Sequence, residues 1–325
     1  MGLGRDEFLP KVLEAGTVGG KLVCVIPAFY MSGMVVPKDA AENGCWTVEE
    51  FLELAKDYPE AALVKGVDSA NVLLSNYCMV GDMPSYINWE EKTCQFNTEA
   101  FISLLEMVKS VPMKNMKNQA SGSIYEQIQN KEGFFNKEYL TENININNPE
   151  DYVEAMEVLK GNGEIAGFPN GEGKPYFLLG SLMRFGMNGA SERKDGAWAF
   201  LEYLLSEEYQ FENTSAQSMF PIRRDAFEER LIHTMKERFP GKYGQRSHSF
   251  TGEILTDSEF PEVTEDDREF LRYMADHVYL DNRNDLRSEY RGIISEEAAA
   301  FFAGEKTAEE AAGNIQNRVM LFLSE

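Results

Sequence analysis

Metal capture, proton transfer and nucleophilic attack need histidine, cysteine or paired acids at set spacings. His233, His248 and His277 are the three histidines. They are too scattered to outline a triad or a metal site, so surface histidine is the plain expectation. Cys24, Cys45, Cys78 and Cys94 all fall in the first third of the chain. Their spacing is irregular and lacks C-x-x-C, which argues against zinc and leaves disulfides open. Apolar neighbours fit ordinary buried thiols. Gly171-Glu172-Gly173-Lys174 looks like half of a phosphate-binding loop. Its glycine spacing is wrong, however, and Pro175 stands where Ser or Thr would meet magnesium. Asp281-Asn282-Arg283-Asn284-Asp285 has calcium-loop composition, yet Arg283 takes a ligand position and the glycine is missing. An exposed turn is expected there. H-E-x-x-H, G-x-S-x-G and G-x-G-x-x-G are absent. Among 54 Asp and Glu residues a glycosidase pair cannot be chosen by count. Asn213-Thr214-Ser215 is a formal glycosylation sequon with no role expected. This inventory predicts no catalytic residue, no metal and no cofactor.

The bulk numbers narrow the class. A chain of 325 residues is too long for one small core and suits two lobes. A hydrophobic content of 43% fits a globular protein. No run of 18 apolar residues appears, so no helix is expected to span a membrane. The first residues, MGLGRDEFLPKVLEAG, lack the apolar region and cleavage site of a signal peptide. Asp6 stands where a myristoylation motif wants Ser or Thr. The net charge of −23 repels phosphate backbones and disfavours nucleic-acid binding; solubility is its simplest use.

Periodicity then gives the elements. Glu164–Pro169 reads as a strand that Pro169 ends, Asn170–Lys174 as a turn, and Tyr176–Met187 as a weaker strand. After the Asn188-Gly189 turn, Ser191 is placed to cap a helix with Ala197, Trp198, Phe200, Leu201, Leu204 and Leu205 on its apolar face. Lys21–Pro27 is a strand ended by proline. Thr47 and Glu50 make a capping box, with Trp46 positioned as a hydrophobic staple on Phe51 or Leu52. Asn71–Val80 is buried, as helix or strand. Tyr86–Phe96 reads as a hairpin, followed by a helix capped by Asn97. Lys114–Asn148 is polar and has no clear period, apart from a possible helix at Ser123–Gln129. Pro149 starts the next helix, and Asp225–Arg238 is another. Thr264/Asp267 and Thr307/Glu310 cap two more, and Gly304 ends the helix before the last.

Several of these stretches resemble the sugar-type extracellular solute-binding proteins of bacterial ABC importers. The carriers are Gly186–Ser191, Ala197–Gln210, Lys21–Pro27, Phe96–Glu106, Phe220–Arg224 and the C-terminal run from Glu296 to Glu325. The resemblance implies an α/β fold of periplasmic-binding-protein-like type II, with two lobes joined by crossing strands. Only about 20 residues precede the first crossing, which implies an incomplete first lobe. The expected division is 1–26 and 164–221 as the remnant of lobe 1, with 27–163 and 222–325 as lobe 2.

The implied function is non-catalytic: capture of a carbohydrate, an oligosaccharide by preference, and its delivery to a membrane permease. A degenerate receptor serving as an interaction or sensing module is the alternative, and a carbohydrate-processing enzyme comes third. The expected setting is the outer face of the cytoplasmic membrane or the periplasm, as a monomeric lipoprotein. Sugars are held by flat rings and a few polar groups. By resemblance, the crossing exits supply Phe29, Tyr30 and Phe168 for stacking, and Asn170, Glu172 and Arg223 for hydroxyls. Tyr77 and Trp89 are the lobe-two candidates.

Overall fold

In the computed structural model, the residues described are 3–41, 43–59, 61–113, 139–159, 161–212, 219–233, 245–247, 254–256, 262–281, 283 and 289–325. The expected helix at 123–129, His248 and the sequon at 213–215 lie outside them.

A seven-stranded mixed sheet organises the chain. Its strands are β1 (Ala28–Pro37), β2 (Ala62–Val64), β3 (Tyr139–Ile146), β4 (Gly163–Ala166), β5 (Phe177–Gly180), β6 (Phe220–Pro221) and β7 (Val278–Leu280). The path is β7–β5–β1–β3–β2, with β4 and β6 also paired to β1. β1 is the axis. It is antiparallel to β3 on one side (Met31↔Ile146, Val35↔Glu142) and to β4 and β5 in series on the other (Met34↔Ala166, Tyr30↔Gly180). The ten residues between β4 and β5 therefore bulge out of a single edge line as a loop. Pro27 does not end a strand, as the sequence suggests; it precedes the longest one, where a missing amide costs nothing.

Alternation along these strands feeds a core on each side of the sheet. Met34, Val36, Leu140, Ala166 and Leu178 face one core. Phe29, Met31, Val35, Ile144, Ile146, Phe177 and Leu179 face the other. The helices are α1 (Pro10–Ala15), α2 (Val48–Asp57), α3 (Ala70–Leu73), α4 (Met83–Tyr86), α5 (Glu99–Ser110), α6 (Pro149–Leu159), α7 (Lys194–Leu204), α8 (Glu207–Glu212), α9 (Arg224–Ile232), α10 (Glu265–Asp276), α11 (Glu289–Phe302) and α12 (Ala308–Ser324). Of these, α2, α3, α5, α11 and α12 clothe the first face, and α1, α6, α7, α9 and α10 the second. A boundary at 163/164 would run through this sheet, because β4 and β5 pair with β1.

The expected caps mostly form. Thr47/Glu50, Thr264/Asp267 and Thr307/Glu310 are closed capping boxes. Trp46 is buried, meets Phe51 edge-on at 5.1 Å, and donates its indole N–H to the Gly167 carbonyl at 2.8 Å. Two caps shift by one or two residues. Thr98, not Asn97, caps α5, accepting from the Phe101 amide. Ser191 accepts from the Arg193 amide, and α7 starts at Lys194. Residues 71–80 resolve as α3 running into a π-helical turn, Leu74–Cys78, with the Met79 amide reaching the Leu74 carbonyl. That wider turn is why a 3.6-residue period did not fit there.

Candidate functional site

The first face of the sheet changes character along its length. Under α2, α5 and α12 it is apolar. Towards the start of β1 it becomes Tyr30 and Ser32, with Asn145 opposite Ser32 and Asn143 opposite Met34 on β3, and Gly180 opposite Tyr30 on β5. Asn143 and Asn145 are exposed and Tyr30 is half-buried. Strand alternation sends Ile144 and Ile146 into the opposite core, so the asparagines between them must face this open shelf. Ser32 donates its hydroxyl to Asn145 Oδ1 at 2.7 Å. Asn143 Nδ2 donates to the Tyr77 hydroxyl at 3.1 Å. Tyr30 lies across Gly180, where a Cβ would come within 2.1 Å of its ring. Only glycine permits that approach.

Aromatic and charged groups wall the shelf. Tyr77, on the π turn, stacks on Phe168 at 6.2 Å. The Arg283 guanidinium sits 5.0 Å from the Phe168 ring centre. Asp281 holds it from two sides, with Arg283 Nε donating at 3.0 Å and Nη2 at 2.9 Å. The Asp281 amide donates to the Leu179 carbonyl at 2.9 Å, anchoring the pair to β5. Burial alone would raise the Asp281 carboxyl, but the Arg283 hydrogen bonds and charge outweigh it and hold the pKa below the usual carboxylate range. Burial pushes the Tyr77 phenol up, so it stays protonated. The ensemble offers amides, a hydroxyl, a fixed guanidinium and ring surfaces. Such a set can orient hydroxyl groups and stack on a flat apolar face; it holds no nucleophile–base pair. Among the described residues no group of His, Cys, Asp and Glu is arranged to hold a metal, and no helix is long and apolar enough to cross a membrane.

Three of the eight residues nominated from sequence meet here: Tyr30, Phe168 and Tyr77. Phe168 has no accessible surface of its own and acts as the floor beneath Arg283 and Tyr77. Asn170 is buried and spent on its own loop, with Oδ1 accepting from the Glu172 and Lys174 amides and Nδ2 donating to the Lys174 carbonyl. Glu172 is exposed beside that loop and paired with Lys174. Phe29 points into the other core, packed on Phe220 and Phe227. Arg223 is 8% exposed, also on that side, and is tied to Glu7 at 2.9 Å and Asp225 at 2.8 Å. Trp89 is 40% exposed and meets Tyr290 edge-on. Ser32, Asn143, Asn145, Asp281 and Arg283 were missed. The alternation Asn143-Ile144-Asn145-Ile146 was a legible strand signal, hidden by the polar run before it. The expected exposed turn at Asp281–Arg283 is instead a half-buried ion pair against an aromatic ring.

The architecture is that of type II periplasmic-binding-protein-like folds. The GacH receptor of Streptomyces glaucescens, solved unliganded and with acarbose, is similar at 16% identity and a TM-score of 0.53, over 99% of this chain and 77% of that one. The sugar-binding protein MalE of Xanthomonas citri is similar at 15% identity and a TM-score of 0.56, over 99% and 75%. Maltose-bound MalE3 of T. maritima is similar at 17% identity and a TM-score of 0.51, over 98% and 77%. No curated protein matches in sequence. The chain belongs to the bacterial extracellular solute-binding proteins, whose family model matches residues 4–240.

Proposed function

We propose that the chain is the solute-binding component of an ABC importer that captures a carbohydrate, an oligosaccharide by preference, outside the cytoplasmic membrane and hands it to a permease. One observation carries this reading: an otherwise apolar sheet face turns into a shelf of Tyr30, Ser32, Asn143 and Asn145, walled by Tyr77 and Arg283. Similar proteins solved with acarbose, maltose and ribitol support the ligand class. Binding is without catalysis, and the working unit is a lipid-anchored monomer.

The lobe division is proposed with one change. Topology favours ending lobe 2 after β5, which leaves 1–27 and 181–221 as the part of lobe 1 present here. That part carries an unclothed apolar surface, with Leu182 at 78% exposure, Trp198 at 42%, Phe200 at 51%, and Val23 and Tyr203 beside them. A first lobe packed on this surface would close over the shelf and trap the sugar. The same surface is the observation behind the second reading, a receptor turned interaction module.

A thermal-shift titration with mono- and oligosaccharides tests the first reading. A sugar that binds the folded state raises the melting temperature with concentration. The expected result is such a shift, lost in Asn143→Ala while the unliganded melt stays within a degree or two. A shift that Asn143→Ala and Arg283→Ala both leave intact would remove the shelf from consideration.

A further inference from the structure

A second cavity lies off the shelf, on the outer side of the loop between β4 and β5. It encloses about 630 Å³ and is lined by Asp82, Tyr86, Gln95, Tyr176 and Tyr279 among others. A smaller recess of about 390 Å³ continues it past Ser85 and Gln95 towards Cys94. The volume falls within the roughly 300–1,000 Å³ of small-molecule sites. The cavity shares no side chain with the shelf.

Its walls are fixed. Tyr176 lies parallel to Tyr279 with ring centres 4.1 Å apart. Tyr86 stacks on Phe96 at 5.4 Å and meets Phe101 edge-on at 5.3 Å. These contacts hold the rings in place where they line the cavity. The Tyr86 and Tyr176 hydroxyls make no hydrogen bond to any described residue and keep some access to solvent, although Tyr176 as a whole is buried. Both Asp82 oxygens accept from the Gly171 amide, at 2.9 and 2.8 Å, so the carboxylate is held in place with acceptor capacity to spare. Burial raises its pKa, against the lowering effect of the Gly171 hydrogen bonds. Gln95 spends an amide hydrogen on the Ser85 carbonyl and keeps its oxygen for a ligand. Paired acceptors, phenol hydroxyls and an amide around a rim of rings suit a polyhydroxylated ring, because each sugar hydroxyl both donates and accepts.

We propose that this groove is a second binding site, taking one hexose unit, separate from the shelf and independent of it. The proposal does not rest on the importer reading.

The experiment is fluorine NMR on the full chain labelled with 3-fluorotyrosine, the Tyr86 and Tyr176 signals being assigned by Tyr→Phe variants. The probes are glucose, galactose, mannose and glucosamine. At least one should move both signals saturably in the millimolar range, where about 4 kcal/mol of binding is read. Asp82→Asn should weaken that titration at least tenfold, and Asn143→Ala, in the shelf, should leave it unchanged. If Asp82→Asn lowers the melting temperature sharply, Gln95→Ala takes its place with the same expectation. Linear, unsaturated shifts with all four sugars overturn the proposal. A saturable shift that survives both Asp82→Asn and Gln95→Ala overturns it too.

Discussion

Helices α5 and α7 have nearly the same length and the same kind of pattern, yet opposite fates. In α5, Phe101, Leu104, Leu105 and Val108 are all buried. In α7 only Leu201 and Leu204 are, while Trp198, Phe200 and Tyr203 stay open. Periodicity finds the apolar stripe of a helix; it does not say whether the chain in hand supplies the surface that covers it. For α5 that surface comes from α2, α3 and α12. For α7 about half of it is absent among the described residues.

The two helices can be set against each other by truncation. Phe101→Ala should cost about 3–5 kcal/mol in a denaturant titration, since it empties a packed site. Phe200→Ala should fall within about 0.5 kcal/mol, as for other exposed positions. A loss above about 2 kcal/mol at Phe200 would mean that α7 is covered in solution by contacts not seen here. Trp46→Phe sharpens the contrast on the clothed side. It orphans the buried Gly167 carbonyl and should cost about 1–3 kcal/mol. An unchanged midpoint would show that water replaces the indole.

A pH titration separates the α11–α12 hairpin from both helices. Burial pushes the Glu297 carboxyl up, but hydrogen bonds from Lys306, Arg318 and Asn314 prevail and bring its pKa to about 2. The folded value lies below the unfolded one, near 4.5. Its contribution is therefore complete above that value and is lost as pH falls from about 4.5 towards 2. The melting temperature should drop across that window in the parent chain, and less in Glu297→Gln. Equal slopes would assign the acid transition to other carboxylates. The smallest effect is expected at Trp198→Ala, which should leave the melt unchanged and reduce self-association at high concentration, as read by light scattering.

The sequence disclosed the elements better than the site. Thr47/Glu50 and Thr307/Glu310 are local signals, complete within four residues, and both formed as expected. The site is assembled from β1, β3, the π turn and residues 281–283, which no local window joins. Phe29 and Tyr30 are neighbours, both nominated to stack on a sugar, and the pleat separates them: Phe29 enters the core and Tyr30 faces the shelf. Asp281 and Arg283 looked like a failed metal loop because the pattern searched for was a cation's. Their partner is Phe168, more than a hundred residues away.

The π turn at Leu74–Cys78 ties chain length to the shelf. Such a turn takes one residue more than an α-helical turn and is frequent at functional sites. Tyr77 sits within the turn, and its hydroxyl there accepts from Asn143. Removing Ser75 should restore an ordinary and sturdier helix while carrying that tyrosine off the shelf. Chain length at this point thus sets the position of Tyr77 against the regularity of the helix. Among related solute-binding proteins, a one-residue gap at this turn is expected to go with a change of ligand.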